Sequence, residues 1–230
     1  MENGNSSLSS SMTDLMTSLA VIFILLLVAS LNNAQQEGEN TRNSILQKLL
    51  ERLQTEVDLY KGQGFEIKND PKDPLGLIIV VPEGLLNFEV DSSDIPPAGK
   101  EFLQKIIPKM ATTLCSNEFQ KEMESIVIEG HTDSTGDDEH NLKLSQDRSL
   151  KVVQESLRVL AAENKDCFLT LLSATGRGEK DLILIKDQNG EEKEDFNRSR
   201  RVIFKIRVRS LERRVVTEVI GNGNSSGAGK

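Results

Sequence analysis

Tryptophan is missing from the 230 residues, tyrosine occurs once, and aromatic residues make up 4% of the chain. With 37% hydrophobic content, such a chain can bury one modest core, so its length argues for a single domain with attachments. Histidine and cysteine occur twice each. His131, His140, Cys115 and Cys167 offer no ligand pair at the usual close spacing, so no metal is expected. An excess of positive charge is also lacking: 28 basic against 36 acidic residues give −8, which excludes a generally basic nucleic-acid binder. The acidity is uneven, because residues 198–230 hold nine basic and two acidic residues. Internal repeats are absent, and so is any nucleophile–base constellation that would point to an enzyme.

What the chain does have is an apolar run. Leu19 to Ala29 is eleven residues without a polar side chain, and its extension to Met12 and Leu31 gives twenty, long enough to cross a bilayer. A secretory signal would want a basic start, yet none of the first eleven residues is Lys or Arg, although Val28-Ala29-Ser30 has the composition of a cleavage site. A buried core helix would show a polar face, and this run has none. A transmembrane helix over 12–31 behind a short tail, 1–11, is the reading that fits. The nearest basic residues, Arg42 and Lys48, follow the span, which weakly favours a cytoplasmic C-terminus. Asp14 stands at the N-terminal edge of the span and reads in two ways. It either satisfies the first turn of the helix or is an ionisable carboxylate coupled to ion movement. Thr13, Thr17 and Ser18 beside it are small polar groups suited to line an ion path or meet a partner helix.

Residues 32–44 read as a polar exit from the membrane. Leu46, Leu50, Leu53, Val57 and Tyr60 then alternate spacings of four and three, as in a coiled-coil seam or a helix lying on its own domain. A linker and amphipathic stalk helix over 32–74 follows, with a parallel dimer contact as one use of it. Beyond Pro71 and Pro74 the patterning predicts strands at 77–81, 126–128, 168–174 and 202–209, and helices at 98–110 and about 145–162. Leu150, Val153, Leu157 and Leu160 mark the apolar side of the second helix, and Asn189-Gly190 marks a turn. In the last strand Phe204, Ile206 and Val208 share one face and Lys205, Arg207 and Arg209 the other. The expected class is α+β, a β-α-β-α-β-β two-layer sandwich over 75–215, with a disordered tail over 216–230. Glu191 to Asp195 is an acidic loop, read as a solvated turn.

Between the second strand and second helix stands Gly130-His131-Thr132-Asp133-Ser134-Thr135-Gly136, followed by Asn141, Leu144-Ser145 and Arg148. This resembles the OmpA-like peptidoglycan-binding domain at every fixed position and spacing. The resemblance implies that Asp133 takes the ammonium and Arg148 the carboxylate of diaminopimelate in a peptidoglycan stem peptide. The physics suits that ligand, whose zwitterionic end needs one anionic and one bidentate cationic partner close together. Thr132, Asn141, Leu144 and Ser145 fall on positions that shape the groove. Asn197-Arg198-Ser199-Arg200-Arg201-Val202 departs from the family's Asn-Arg-Arg-Val run by placing Ser199 where the Asn would stand, and leaves Arg200 and Arg201 as candidates for peptide contact. The plain alternative is an Asp133–Arg148 pair that only holds the loop. Cys115 and Cys167 each precede a strand and read either as a disulfide of a periplasmic domain or as two buried thiols.

A single N-terminal span carrying an aspartate, ahead of such a domain, resembles the MotB-type stator subunits of ion-driven rotary motors. Thr13-Asp14-Leu15-Met16-Thr17-Ser18-Leu19 matches that family's Asp-x-Met-Thr pattern. The Ser- and Asn-rich start and compact linker are more similar to the B subunits of the Zorya anti-phage defence system than to flagellar members. The resemblance implies a homodimer inside a pentameric multi-span motor or channel subunit, ZorA/MotA-like, with Asp14 translocating an ion, a proton on this reading. It also implies an inner-membrane, single-pass protein with a cytoplasmic N-terminus and a periplasmic wall-bound domain, against the weak basic-residue signal. No cofactor and no direct nucleic-acid contact are expected. A flagellar stator subunit and a passive membrane-to-wall tether remain the alternatives.

Overall fold

The computed structural model describes residues 3–56 and 63–210. Val57, Tyr60 and the tail expected over 216–230 lie outside the described residues. The chain falls into two units, the first ending at Ser44 and the second beginning at Ile45.

Helix α1 runs Asn3–Glu56 without a break. No proline occurs before Pro71, and the unbroken apolar run 19–29 puts no polar side chain in competition for the backbone. The polar stretch 32–44, expected as an exit from the membrane, is helical too. In the first unit the apolar side chains have nothing to pack against: Leu15, Phe23 and Leu26 are each more than 60% exposed. Among the described residues, α1 is the one helix long and apolar enough to cross a membrane, and its apolar window is unburied, unlike a core helix.

The second unit takes in the last turns of α1. Leu46, Leu49 and Leu53 are buried in its core and Leu50 is half-buried. Their burial in this unit's core makes the stretch a helix lying on its own domain, the second of the two uses its spacing allowed. Gln54 donates to the Ile67 carbonyl at 3.1 Å, and Lys109 to the Glu56 carbonyl at 2.9 Å, tying the end of α1 to the rest of this unit.

The core sheet has five strands in the order β1-β2-β7-β3-β4: β1 Glu66–Asn69, β2 Gly76–Pro82, β3 Met123–His131, β4 Leu172–Gly176 and β7 Arg201–Val208. Only β3 and β4 run parallel. The near-continuous apolar run of β2 suits a strand buried on both faces. β7, central between β2 and β3, buries Val202, Ile203 and Phe204 and alternates only past Phe204, where Lys205 and Arg207 turn outward. Helices α3, Pro97–Leu114, and α4, Asp138–Val159, pack on the sheet, and Phe102, Leu103, Ile106, Ile107 and Met110 of α3 fill the core.

The mixed α+β class stands as expected, with local differences. β1 and the hairpin β5 Leu184–Lys186 and β6 Glu192–Glu194 add strands that the patterning missed, although the Asn189-Gly190 turn lies between the latter two. α4 begins seven residues early, because Asp137 caps it by accepting the His140 N–H at 2.9 Å, with Asp138 and Glu139 suiting its first turn. The strand expected at 168–174 is half helix: α5 spans Ala162–Leu171 and buries Phe168 completely. Short apolar runs such as Phe168 to Leu172 carry no period that separates helix from strand. The buried residues of α4 are Asn141, Ser145, Arg148, Ser149, Val152, Glu155 and Ser156, and Leu150 is exposed. Small residues allow close approach to the sheet there, which an apolar-stripe argument overlooks. Cys115 at the end of α3 and Cys167 in α5 form a disulfide.

Candidate functional site

The Gly130-to-Gly136 segment leaves the end of β3 and turns into α4, so that its side chains and those of the first turns of α4 meet at the C-terminal end of that strand. Gly130 and Gly176 are partners across β3 and β4. Both are glycine for want of space: a Cβ on Gly130 would lie 2.2 Å from the Ser145 carbonyl oxygen, and one on Gly176 would lie 2.5 Å from the Gln146 nitrogen. The pair forms a flat seat on which α4 rests. Ser145, fully buried, donates to the Leu142 carbonyl and accepts the Gly178 N–H at 2.9 Å, tying the helix to the loop after β4.

Asn141 locks the motif loop. Its side-chain amide donates to the carbonyls of Asp133 and Thr135 at 3.4 and 3.1 Å and to the Glu179 carboxylate at 2.9 Å. Thr132 is buried, with its N–H on the Gly178 carbonyl at 3.0 Å. Leu144 is half-buried. Ser134 donates its hydroxyl to Glu194 at 2.5 Å, so the β5–β6 hairpin leans on the motif loop through an acidic residue first read only as solvated.

Asp133 and Arg148 do not pair directly; two further side chains link them. Asp133 accepts the Thr135 N–H at 2.9 Å and an Arg200 guanidinium N–H at 2.6 Å. Arg200 also holds one oxygen of Glu83, the first residue of the short helix α2, Glu83–Leu86, and donates to Asn197 at 2.8 Å. The other Glu83 oxygen accepts from Arg148 at 3.2 Å. Arg148 completes its bonding on the segment after α2, with the Ser92 carbonyl at 2.9 Å and the Glu89 carbonyl at 3.2 Å, and lies 4.8 Å above the Phe88 ring. Asn87 and Asp91 in that segment hold left-handed backbone, φ 55° and 59°, so Arg148 clamps a strained strap.

The charges respond to this network. Burial pushes the Asp133 carboxyl up, but the bonds from Arg200 and Thr135 outweigh it and hold it below the ordinary range. Burial lowers the Arg200 guanidinium, and Asp133 and Glu83 more than restore it. Arg148 is lowered by burial, opposed chiefly by Glu83. The arrangement is an open chain of alternating anion and cation: Asp133, Arg200, Glu83, Arg148.

Arg201 goes elsewhere. It is buried and donates to the Ser199 carbonyl and to Asp181. Ser199 is also buried and accepts the Ile183 N–H at 3.0 Å, which gives the departure from the family's Asn a structural role. Behind the motif His131 meets Glu129 at 3.0 Å, and Glu129 takes Lys205 at 2.8 Å. Burial raises Glu129, but His131 and Lys205 outweigh it and bring it down to about 2.

In α1, Asp14, Thr17 and Ser18 are exposed, and Thr17 donates its hydroxyl to the Asp14 carbonyl at 2.9 Å. The side chain of Thr13 lies outside the described residues. No group of three or more His, Cys, Asp or Glu side chains that could hold a metal occurs among the described residues. Glu83 and the strap 87–92 were missed from the sequence, since nothing in Pro82-Glu83-Gly84 distinguishes a site residue from a helix start.

The folded head matches the OmpA family over residues 87–198. In fold it is MotB-like. It superimposes on the periplasmic domain of Helicobacter pylori MotB with a TM-score of 0.50 at 18% identity, over 71% of this chain and 91% of that one. A MotB-like protein from Desulfovibrio vulgaris gives 0.51 at 19% identity, over 76% and 99%. By sequence the chain is close to two proteins named Zorya protein ZorB. One, from Escherichia coli O139:H28, is 32% identical over 145 residues, 60% of this chain and 56% of that protein. The other, from E. coli strain ATCC 8739, is 28% identical over 213 residues, 85% and 86% of the two chains.

Proposed function

We propose that this chain is the wall-anchored, stator-type subunit of an inner-membrane ion-driven rotary motor acting in anti-phage defence. The observation that carries the reading is the joint presence of an unburied apolar helix beginning near Asp14 and an OmpA-like head with an ionic cluster around Asp133 and Arg148. The likeness to ZorB supports the defence setting and a ZorA-like multi-span partner.

In this reading α1 crosses the inner membrane over about 12–31, with residues 1–11 cytoplasmic and the 75–215 head periplasmic. Two copies stand inside a pentameric ring, and Thr13, Thr17 and Ser18 line the path at Asp14. Asp14 alternately binds and releases a proton. A unit charge crossing 100 mV gains about 2.3 kcal/mol, several times thermal energy, so neutralising and recharging one carboxylate is enough to bias a step. The head binds diaminopimelate of the stem peptide, with Asp133 on the ammonium and Arg148 on the carboxylate, while Asn141, Thr132, Leu144 and Ser145 hold the loop and helix in register. The wall then holds this subunit still while the ring turns. The disulfide suits a periplasmic head.

Asp14→Asn tests the motor. Co-expressed with the multi-span subunit, the variant should assemble normally, abolish proton flux across the inner membrane and lose protection against phage. Unchanged flux and protection would leave only a passive tether.

A further inference from the structure

The ligand proposed above would bring one ammonium and one carboxylate, and the site already holds one cation and one anion of its own in those places. Arg200 sits on Asp133, where the ammonium would go, and Glu83 sits on Arg148, where the carboxylate would go. Arg200 and Glu83 are bonded to each other by their side chains, and the Glu83 N–H donates to the Arg200 carbonyl at 3.2 Å. They are therefore a single tethered zwitterion. Glu83 lies outside the 87–198 family match, and Arg200 follows it by two residues.

We infer that the Glu83–Arg200 pair is an internal stand-in for the ligand head, which a zwitterionic end group replaces by partner exchange. Exposure decides which partners move. The Arg148 side chain is 6% exposed and that of Asp133 11%, whereas Arg200 is 30% and Glu83 18% exposed. The buried members stay and receive the ligand; the outer two can withdraw together, still paired, and Arg200 keeps Asn197. Exchange in this form leaves neither Asp133 nor Arg148 without an opposite charge at any stage, and an unpaired buried charge is the costly outcome. Glu83 thus competes with the ligand's carboxylate alone, and Arg200 with its ammonium alone, which makes the two residues separable determinants of specificity.

This inference rests on the peptidoglycan reading, and the test keeps the two apart. The full chain in detergent is titrated with stem tripeptides that carry diaminopimelate, its side-chain-end carboxamide, or lysine. Glu83→Gln should tighten the diaminopimelate peptide about tenfold while moving the carboxamide and lysine peptides less than about twofold, since only the first carries, beside its side-chain ammonium, a carboxylate that can reach the freed Arg148. Arg200→Gln should tighten all three, since each offers an ammonium to Asp133. If the wild type binds the diaminopimelate peptide but either variant leaves its affinity unchanged or weaker, the stand-in is wrong and the peptide reading survives. Failure of the wild type and both variants to bind it would overturn the peptide reading and the stand-in with it. A cooperative thermal unfolding transition in each variant shows that the comparison is between folded proteins.

Discussion

Gly130→Ala is a one-methyl change that should damage both fold and site. The added Cβ would stand 2.2 Å from the Ser145 carbonyl oxygen and 3.0 Å from its carbon, in a region where contacts under 3.0 Å essentially do not occur. The obstacle is backbone in the middle of a helix and cannot rotate away, so α4 must lift by the better part of an ångström. Gly176 blocks relief toward the neighbouring strand, because α4 is equally close there at Gln146. Overpacking of this kind costs about 2–4 kcal/mol, out of a typical domain stability of roughly 5–15. With an m-value of about 1–3 kcal/mol/M, the urea midpoint should fall by roughly 1–2 M. Arg148 rides on the same helix, so its bonds to Glu83, Glu89 and Ser92 should loosen and sacculus binding should weaken as well. Urea unfolding followed by far-UV circular dichroism, beside a sacculus co-sedimentation assay, reads both effects. A midpoint within 0.2 M of wild type, an estimate of measurement scatter on that m-value, would refute the close-seat argument.

Further expectations follow from other parts of the molecule. Replacing Cys115 and Cys167 by Ala opens a loop with a sequence separation of 52, and the loop-entropy relation puts the loss at about 4 kcal/mol at most, read as a lower thermal midpoint that reductant reproduces in the wild type. Glu129, held at about 2 in the folded state against 4.5 ordinarily, stabilises the fold above pH 4.5 and loses that contribution as pH falls toward 2. Discounted for screening, the loss is on the order of 2 kcal/mol, and Glu129→Gln should flatten the acid limb of a stability-against-pH curve. Asn141→Ala removes three donated bonds and should cost about 1–2 kcal/mol while weakening sacculus binding more than its stability loss explains.

The motif was legible because its constraints are local. Gly130, Asn141, Ser145 and Arg148 lie within nineteen residues on one strand–loop–helix unit, and spacing alone places them together. The apolar span was legible for the same reason, being a single run. What escaped was long-range. Glu83 meets Arg200 across a sequence separation of 117, and no pattern in Pro82-Glu83-Gly84 foretells it. The choice between Arg200 and Arg201 depends on where the short helix Phe196–Ser199 ends and β7 begins, a boundary that periodicity does not fix. The stretch through Leu46, Leu50 and Leu53 reads equally as a seam or as a helix on its own domain, and the burial of Leu49, which separates the two, depends on tertiary packing. Phe168 read as strand because branched and aromatic residues in a short run suit either state until tertiary packing decides.

The most direct test of the central claim is binding of the full chain to purified peptidoglycan sacculi, with free diaminopimelate as competitor. Wild type should co-sediment and be released by the competitor, while Asp133→Ala and Arg148→Ala, each shown to be folded, should remain in the supernatant. Retention of both variants on sacculi at the wild-type level would contradict the account.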